Sequence, residues 1–259
     1  MSDENPNTET AIKRPDDVVG AMLLRYSIGA RKLLTFDYIG NRGIMALASR
    51  ELKPLPRIAV RFPNLKYTQD DQARMLSEFT TTFLESLVVL ETTIFEVFID
   101  DVTTYLIKAN PGKHLKGISI DIGELLGDTR ANIINARIAN KARQMAFEEL
   151  VKRLDFLGEK FGLEFALSPQ EREVVKRWSQ IRNDIVHSGS SWKIETLEPE
   201  TPAGDHSAHI CELERTYRLL VVKVHKALRK AFPCDAADLA KVEERVYAGI
   251  AASVEPLRP

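Results

Sequence analysis

The sequence predicts an all-α protein, and three observations lead to that fold class. Long stretches place apolar residues at three- and four-residue steps, which is the spacing of a buried helical face. Strand-like alternation is scarce, and "RIAV" at 57–60 is the clearest candidate for a short strand. Prolines and glycines fall between the periodic stretches, where they end helices. We therefore expect an up-and-down helical bundle with a helical and irregular N-terminal extension.

The composition fits a globular protein that works inside the cell. Of 259 residues, 44% are hydrophobic and 28% are charged, so the chain can bury a real core. The net charge of -1 means that any nucleic-acid contact must come from a local basic patch. The two cysteines, Cys211 and Cys234, lie outside any CxxC pattern, which argues against a disulfide framework and a zinc site. We expect a cytoplasmic protein without a cofactor.

The ends of the chain and its apolar runs predict no membrane attachment. The first ten residues are acidic and polar, unlike a signal peptide. The apolar run near 83–99 is interrupted by three glutamates, which makes it too polar for a bilayer span of about 20 residues.

The N-terminal quarter divides into a tail and an extension. Residues 1–15 predict a disordered tail, and 16–66 predict an extension that packs on the main domain at 67–255. Within the extension, 16–34 favours a helix, and Gly40 and Gly43 precede a second short helical piece that ends near Leu52. The proline-containing stretch at 53–67 predicts an extended connection.

The main domain begins with two long predicted helices. The first runs from about 69 to 108, with a buried face predicted at Phe79, Phe83, Leu87, Leu90, Ile94 and Phe98. "ANPGK" ends this helix, and a glycine-containing segment at 117–127 has room for a helical turn or two. The second long helix is predicted from about 129 to 160, where "KFG" ends it.

The next helix carries the most informative stretch, "SPQEREVVKRWSQIRNDIVHSGS" at 168–190. Ser168 suits an N-cap, Pro169 suits the first helical position and Glu171 completes a capping box. Gly189 is a plausible C-terminal stop. After a polar loop at 193–207, further helices are predicted at about 208–231 and 236–253.

A helical wheel places Arg182 about 40° from Trp178, inside the apolar arc of this helix. Asn183 and His187 are four residues apart and share the opposite side. An arginine in a packing face is costly unless it is paired or borders a polar site, although its long stem can also reach water. The pattern therefore leaves open either a snorkelling side chain or a site at this end of the helix.

These residue types suit cleavage of RNA through the ribose 2′-hydroxyl. Histidine titrates near neutral pH and can act as general base or acid. Arginine stays charged and binds phosphate oxygens through its planar fork. Such a reaction needs no metal, in agreement with the lack of any clustered pattern of metal ligands in the sequence.

A second arginine–histidine pair occurs at Arg218 and His225 in "RLLVVKVH". It lies in the middle of a predicted helix near Arg215 and Arg229, and we interpret it as a solvated basic face. Glu91, Glu96 and Asp100 lie on the first long helix. One of them is a candidate partner for Arg182 or for His187, with a structural ion pair as the alternative.

A third basic pattern is the stripe of Arg130, Arg137 and Lys141 in "TRANIINARIANKARQ", which is a candidate for tracking an RNA backbone. It lacks interleaved aromatic residues for base stacking, and a solvated helix face is the alternative.

The sequence resembles the HEPN superfamily of all-α domains, found in many bacterial RNA-targeting toxins and phage-defence proteins. "RNDIVH" matches the arginine, polar residue and histidine of that family at Arg182, Asn183 and His187. "TTFLESLVVLETTIFEVFIDDVTTYLI" is similar to the first core helix of one branch, with its acidic and aromatic pattern. The resemblance covers roughly 71–231, and the first sixty or so residues lie outside it.

The resemblance implies a metal-independent endoribonuclease that leaves a cyclic phosphate and works as a homodimer with a composite site. Arg182 would hold the scissile phosphate, His187 would act as general acid or base, and Asn183 would orient the histidine or bind a phosphate oxygen. We expect a toxin or abortive-infection effector with an antitoxin or defence-system partner. The alternative is a catalytically inactive HEPN-like module that binds a partner protein or a nucleotide.

Overall fold

The computed structural model describes residues 15–49, 68–117, 127, 129–188, 206–233 and 237–252. These ranges hold eight helices and no strand, so the all-α prediction is confirmed for the described part of the chain. The helices are α1 (Pro15–Ala48), α2 (Gln69–Ala109), α3 (Pro111–His114), α4 (Arg130–Ala146), α5 (Leu150–Glu159), α6 (Pro169–Ser188), α7 (His206–Ala231) and α8 (Ala237–Ala252).

The long helices form a bundle around α2, and pairs of contacting residues give their directions. Neighbours in the order α1, α2, α6, α7 and α8 alternate in direction, and α7 runs parallel to α2. The pairs that show this are Arg25–Asp101, Phe36–Phe83, Phe95–Tyr217, Tyr105–Phe232, Arg182–Glu96, Arg177–Glu212, Lys223–Glu171, Arg229–Glu243 and His225–Tyr247. The bundle is therefore up-and-down in the described residues, as we expected from the sequence.

The first helix is longer than its sequence indicated. α1 continues through Gly40 and Gly43, where we predicted an interruption. A Cβ atom on Gly40 would lie 2.1 Å from the Phe83 ring of α2, so glycine is needed here for the close approach of a side chain. Gly29 also faces α2, and a Cβ atom there would lie 3.2 Å from the Ile94 side chain. Both glycines serve packing between α1 and α2.

α1 also contributes to the main hydrophobic core, through Val19, Met22, Leu23, Tyr26 and Ala30. This helix therefore packs on the bundle along much of its length. The boundary predicted between an extension and a main domain near residue 66 stays a prediction. The tail at 1–14, "RIAV", 118–126 and the loop at 193–205 lie outside the described residues.

The buried face of α2 differs from the predicted one. Phe83, Leu87 and Phe98 are buried, whereas Phe79 and Leu90 are exposed. The buried set also contains polar residues, among them Glu91, Thr92 and Thr103. α2 contacts α1, α4, α6 and α7, so several faces of the helix are covered in different places. A single stripe of apolar residues cannot describe such a helix.

The long helix predicted at 129–160 is two helices. α4 ends at Ala146, and α5 begins at Leu150 after an extended Glu149. Ile138 and Met145 of α4 pack with Ile107, whereas the leucines of α5 belong to the main core. The chain bends at 147–149 because the two helices face different clusters.

The start of α6 is as predicted. The Ser168 hydroxyl accepts a hydrogen bond from the Glu171 backbone at 3.1 Å, and the Glu171 carboxylate accepts one from the Ser168 backbone at 2.6 Å. This reciprocal pair is a capping box, which satisfies backbone donors that have no partner inside the helix.

Within the described ranges, each helix is either too short or too polar to cross a bilayer.

Candidate functional site

The predicted site residues within "RNDIVH" lie at the C-terminal end of α6, where the helix leaves the core. They are Arg182, Asn183 and His187. Upstream, Val174, Val175 and Trp178 are fully or nearly fully buried. Ile185 is only partly buried, and Val186 is 49% exposed. The buried part of α6 thus fixes the helix, and its last turn projects beyond the core.

Arg182 lies at the polar edge of the bundle. Its side chain is 25% exposed, and one terminal nitrogen lies 3.4 Å from the Glu96 carboxylate of α2. The other terminal nitrogen donates to the Asn183 side chain at 3.0 Å. The Arg182 Nε is buried without a hydrogen-bond partner in the part of the chain that is described. Of the three predicted acidic candidates, Glu96 is the partner of Arg182.

The carboxylate contact of Arg182 is looser than those of two other arginines in the bundle. Arg172 forms a two-pronged pair with Asp155, with nitrogen–oxygen distances of 2.7 and 2.6 Å. Arg229 holds Glu243 in the same way. Arg182 makes one contact to its carboxylate, at a distance long for a hydrogen bond. Its pair with Glu96 therefore lacks the two-pronged geometry of the stronger arginine–carboxylate pairs.

His187 is exposed near the end of α6, and the helix remains regular through Ser188. The described part of the helix therefore shows no unwinding that would bring the two side chains together. Five residues of regular helix separate Arg182 from His187, by about 140° around the axis and about 7.5 Å along it. The two side chains of one chain therefore point to different sides of the helix end.

Asn183 is exposed and accepts its hydrogen bond from Arg182. This contact holds the guanidinium in place from the opposite side to Glu96. The position of Asn183 one turn before His187 keeps it within reach of the histidine as well.

A charged network extends from Glu96 to α5. Arg153 is buried and donates to the Glu96 backbone carbonyl at 3.3 Å and to the Asp100 carboxylate. Burial raises the pKa of Asp100, and Arg153 partly offsets that shift. α5, α2 and α6 are thus joined by charged side chains beside Arg182.

The second pair, Arg218 and His225, is buried, and our interpretation as a solvated face was wrong. Arg218 is 1% exposed and lies 3.8 Å from Glu91 and 3.2 Å from Glu214. The Tyr26 hydroxyl lies 3.5 Å from the same Glu91 carboxylate. Burial raises the pKa of Glu91 to about 7, although the positive charge of Arg218 opposes the shift.

His225 is fully buried, and its two ring nitrogens have structural partners. Nε2 lies 3.1 Å from the Val19 carbonyl, so it carries the proton and donates. Nδ1 then accepts from the Tyr247 hydroxyl at 2.6 Å. Burial lowers the pKa of His225, which favours this neutral form. The histidine joins α1, α7 and α8 inside the bundle, away from any substrate.

The predicted RNA-binding stripe lies on α4, and the structure gives its residues different surroundings. Arg130 is exposed at the first position of the helix. Arg137 and Lys141 line a shallow depression together with Asn140, Arg143, Gln144 and Phe147. The stripe itself has no aromatic residue, but Phe147 lies three residues beyond it and is 85% exposed, which we did not predict. The sequence offered one indication of this exposure: Phe147 stands directly before the charged residues of "EEL", where α4 ends and α5 has not yet begun.

Comparison with known proteins leaves the family open. The chain matches no protein-family model, and searches of curated proteins and of solved structures also gave no match. The HEPN resemblance therefore depends on the residues quoted above.

Proposed function

We propose that this protein is a metal-independent endoribonuclease of the HEPN type. One observation carries the proposal: an exposed histidine and a partly buried arginine with a loosely held fork lie at the same end of α6. Phosphodiester cleavage by the 2′-hydroxyl requires transfer of a proton and stabilisation of the negative charge on the phosphate. Histidine can transfer the proton, and arginine can stabilise the charge. In the cell, the activity fits a cytoplasmic toxin or abortive-infection effector held in check by a partner protein.

In the proposed reaction, His187 takes the proton of the ribose 2′-hydroxyl, whose oxygen then attacks the adjacent phosphorus. The bond from phosphorus to the 5′-oxygen breaks, and that oxygen leaves with a proton from a general acid. The products are a 2′,3′-cyclic phosphate and a 5′-hydroxyl. Arg182 neutralises the phosphate oxygens as negative charge develops, and Glu96 and Asn183 keep its fork in position.

We propose that two copies of the chain complete the site. Arg182 and His187 of one regular helix diverge, so one phosphate meets both groups most directly when each comes from a different copy. A two-fold axis near the end of α6 would place the Arg182 of one copy against the His187 of the other. The exposed Val186 lies between the two residues and would be covered in such a dimer.

The first test measures cleavage of bulk cellular RNA by the purified protein in EDTA. We expect wild type to cleave, and Arg182→Ala and His187→Ala to lose about 100-fold or more of the rate. Mass spectrometry should find cyclic phosphate ends on the products. Cleavage that stops in EDTA, or that both variants retain, contradicts the proposal.

Two residues provide matched controls. Arg177 lies five residues earlier on α6 and pairs with Glu212 of α7, so Arg177→Ala removes an equivalent ion pair away from the helix end. His114 is partly exposed and packs against Phe161, so His114→Ala removes a histidine elsewhere on the surface. Both controls should cleave at the wild-type rate.

The second test mixes Arg182→Ala with His187→Ala after each has proved inactive alone. If each site combines an arginine from one copy with a histidine from the other, half of the sites in a mixed dimer are intact. Random mixing should then restore about a quarter of the wild-type activity. No recovery, in a mixture shown to exchange subunits, contradicts the composite site and leaves the nuclease proposal standing.

The ion pair between Arg182 and Glu96 favours one alternative function. If that pair is only structural, the protein is a catalytically inactive helical module that binds a partner protein or a nucleotide. In that case Arg182→Ala lowers the melting temperature, wild type leaves RNA intact, and expression of wild type and His187→Ala affects cell growth equally.

A further inference from the structure

The C-terminal end of α4 carries a second surface suited to RNA. A depression of about 300 Å³ lies there, lined by six side chains that are cationic, amide or aromatic: Arg137, Asn140, Lys141, Arg143, Gln144 and Phe147. None of the six is a carboxylate. The set combines the three kinds of group that single-stranded nucleic acids require, which are cations, amides and a ring.

Phe147 is the unusual member of this set. It is 85% exposed directly after α4 ends, in helical backbone conformation at φ -82° and ψ -10°. The other phenylalanines named above pack against neighbouring rings, whereas this ring faces water beside cations. A phenylalanine in this position adds little to the core, and its flat face is open to a stacking partner.

The charge of α4 contrasts with that of the whole chain. The helix contains four cations, Arg130, Arg137, Lys141 and Arg143, and no aspartate or glutamate. The complete chain carries a net charge of -1. The positive charge is therefore local, as expected for a surface that tracks a phosphate backbone.

We propose that this depression is a binding site for single-stranded RNA, separate from the catalytic residues. A base stacks on Phe147, Arg137 and Arg143 contact the flanking phosphates, and the amides of Asn140 and Gln144 bond to base edges. Double-stranded RNA fits poorly because pairing and stacking conceal the faces of its bases. The identity of the ligand as RNA rests on the proposed function, whereas the stacking site itself is measured by binding alone.

A second depression adjoins this site. It shares Lys141 and Gln144 with the first, and Lys152, Arg153 and Glu148 also line it. Arg153 contacts Glu96, and Glu96 in turn pairs with Arg182. These contacts therefore link the lining of the second depression to Arg182. The site would hold substrate on one side of the bond that is cut.

The test is binding of a labelled unstructured oligoribonucleotide, measured by fluorescence anisotropy in EDTA. A His187→Ala background prevents cleavage during the titration. We expect Phe147→Ala to weaken binding about tenfold and Phe147→Trp to retain it, because stacking is what the ring supplies. Arg137→Ala and Arg143→Ala should each lower the slope of log affinity against log salt by about 0.7.

The controls are exposed residues on other helices. Tyr38 of α1 is 62% exposed with Arg42 over its ring at 5.5 Å, so Tyr38→Ala removes an aromatic residue beside a cation. Arg74→Ala removes an exposed cation at the start of α2. Neither should change affinity or salt slope, and thermal melts should show all variants folded.

The outcomes separate this site from the nuclease proposal. Binding that depends on Phe147 supports the site even if wild type never cleaves RNA. Wild-type binding that Phe147→Ala leaves unchanged, or equal Phe147 dependence with a duplex of the same length, overturns it even if cleavage is confirmed. Absence of any RNA binding also overturns it.

Discussion

The two arginine–histidine pairs look alike in the sequence and differ in the structure. Arg182 and His187 lie at the end of α6, where the histidine is exposed and the arginine makes a long contact to Glu96 and a hydrogen bond to Asn183. Arg218 and His225 lie in the middle of α7 and are almost completely buried. The first pair is at least partly open to solvent. The second pair is surrounded by protein groups from α1, α2 and α8.

The difference teaches that position in the bundle decides what such a pair does. A residue in the middle of α7 is covered by neighbours, so its charge must be matched by other buried groups such as Glu91 and Glu214. Near the end of α6, by contrast, Asn183, Val186 and His187 are exposed. Making the same substitution in each pair, alanine for histidine or alanine for arginine, tests this difference.

The largest expected contrast is between the two histidines. His187→Ala should reduce RNA cleavage about 10²- to 10⁴-fold without changing the melting temperature, because an exposed general base contributes to rate and little to folding. His225→Ala should destabilise the fold by about 1–3 kcal/mol, because the Val19 carbonyl and the Tyr247 hydroxyl lose their partner. Cleavage rates and urea melts of both variants check this, and equal stability losses would contradict it.

The next contrast is between the two arginines. Arg218→Ala should lower the free energy of unfolding by about 3–5 kcal/mol, because it leaves Glu91 buried without its cation. Arg182→Ala should lower it by about 1 kcal/mol or less, because its pair with Glu96 is partly exposed and long. Chemical denaturation of both variants measures the difference. A large loss in Arg182→Ala indicates a structural role for that arginine.

A pH dependence sharpens the comparison further, because the buried pair faces Glu91. The pKa of Glu91 in the folded protein is raised to about 7 by burial, with Tyr26, Glu214 and Arg218 facing it. Its contribution to stability is therefore present at acidic pH and is lost as the pH rises toward 7. His225 acts in the opposite direction, because burial lowers its pKa.

Comparison of wild type with Glu91→Gln isolates the effect of the carboxyl group. The difference in free energy of unfolding, wild type minus variant, should fall by about 3 kcal/mol between pH 4.5 and 7. Denaturation at a series of pH values measures it. A difference that stays constant over this range shows that Glu91 titrates normally.

The smallest expected effect concerns the group that holds Arg182. Glu96→Gln should slow cleavage about tenfold, because the guanidinium loses its fixed position but keeps its charge. Stability should change by about 1 kcal/mol or less. Rates of Glu96→Gln and of the control Glu212→Gln, which loses the pair with Arg177, provide the comparison. Equal rates in the two variants contradict a positioning role for Glu96.

Local signals in the sequence determined the fold class and several boundaries. α2 begins and ends within a residue or so of the prediction, and Ser168 and Glu171 form the expected cap of α6. Helical periodicity and caps arise from neighbours along the chain, so they can be recognised without knowledge of the fold. The place of Arg182, Asn183 and His187 near the end of α6 could be predicted for the same reason.

The tertiary structure decided the features that depend on contacts between distant residues. Gly40 proved to be a contact point for Phe83 within a continuous helix. Phe147 became exposed because α4 and α5 pack on different clusters. Above all, the burial of Arg218 depends on Glu91, which lies more than a hundred residues away in the chain. The sequence by itself determined which residues form helices and their caps. Only the packing of those helices decided which charges face water, because that depends on where the partners lie in space.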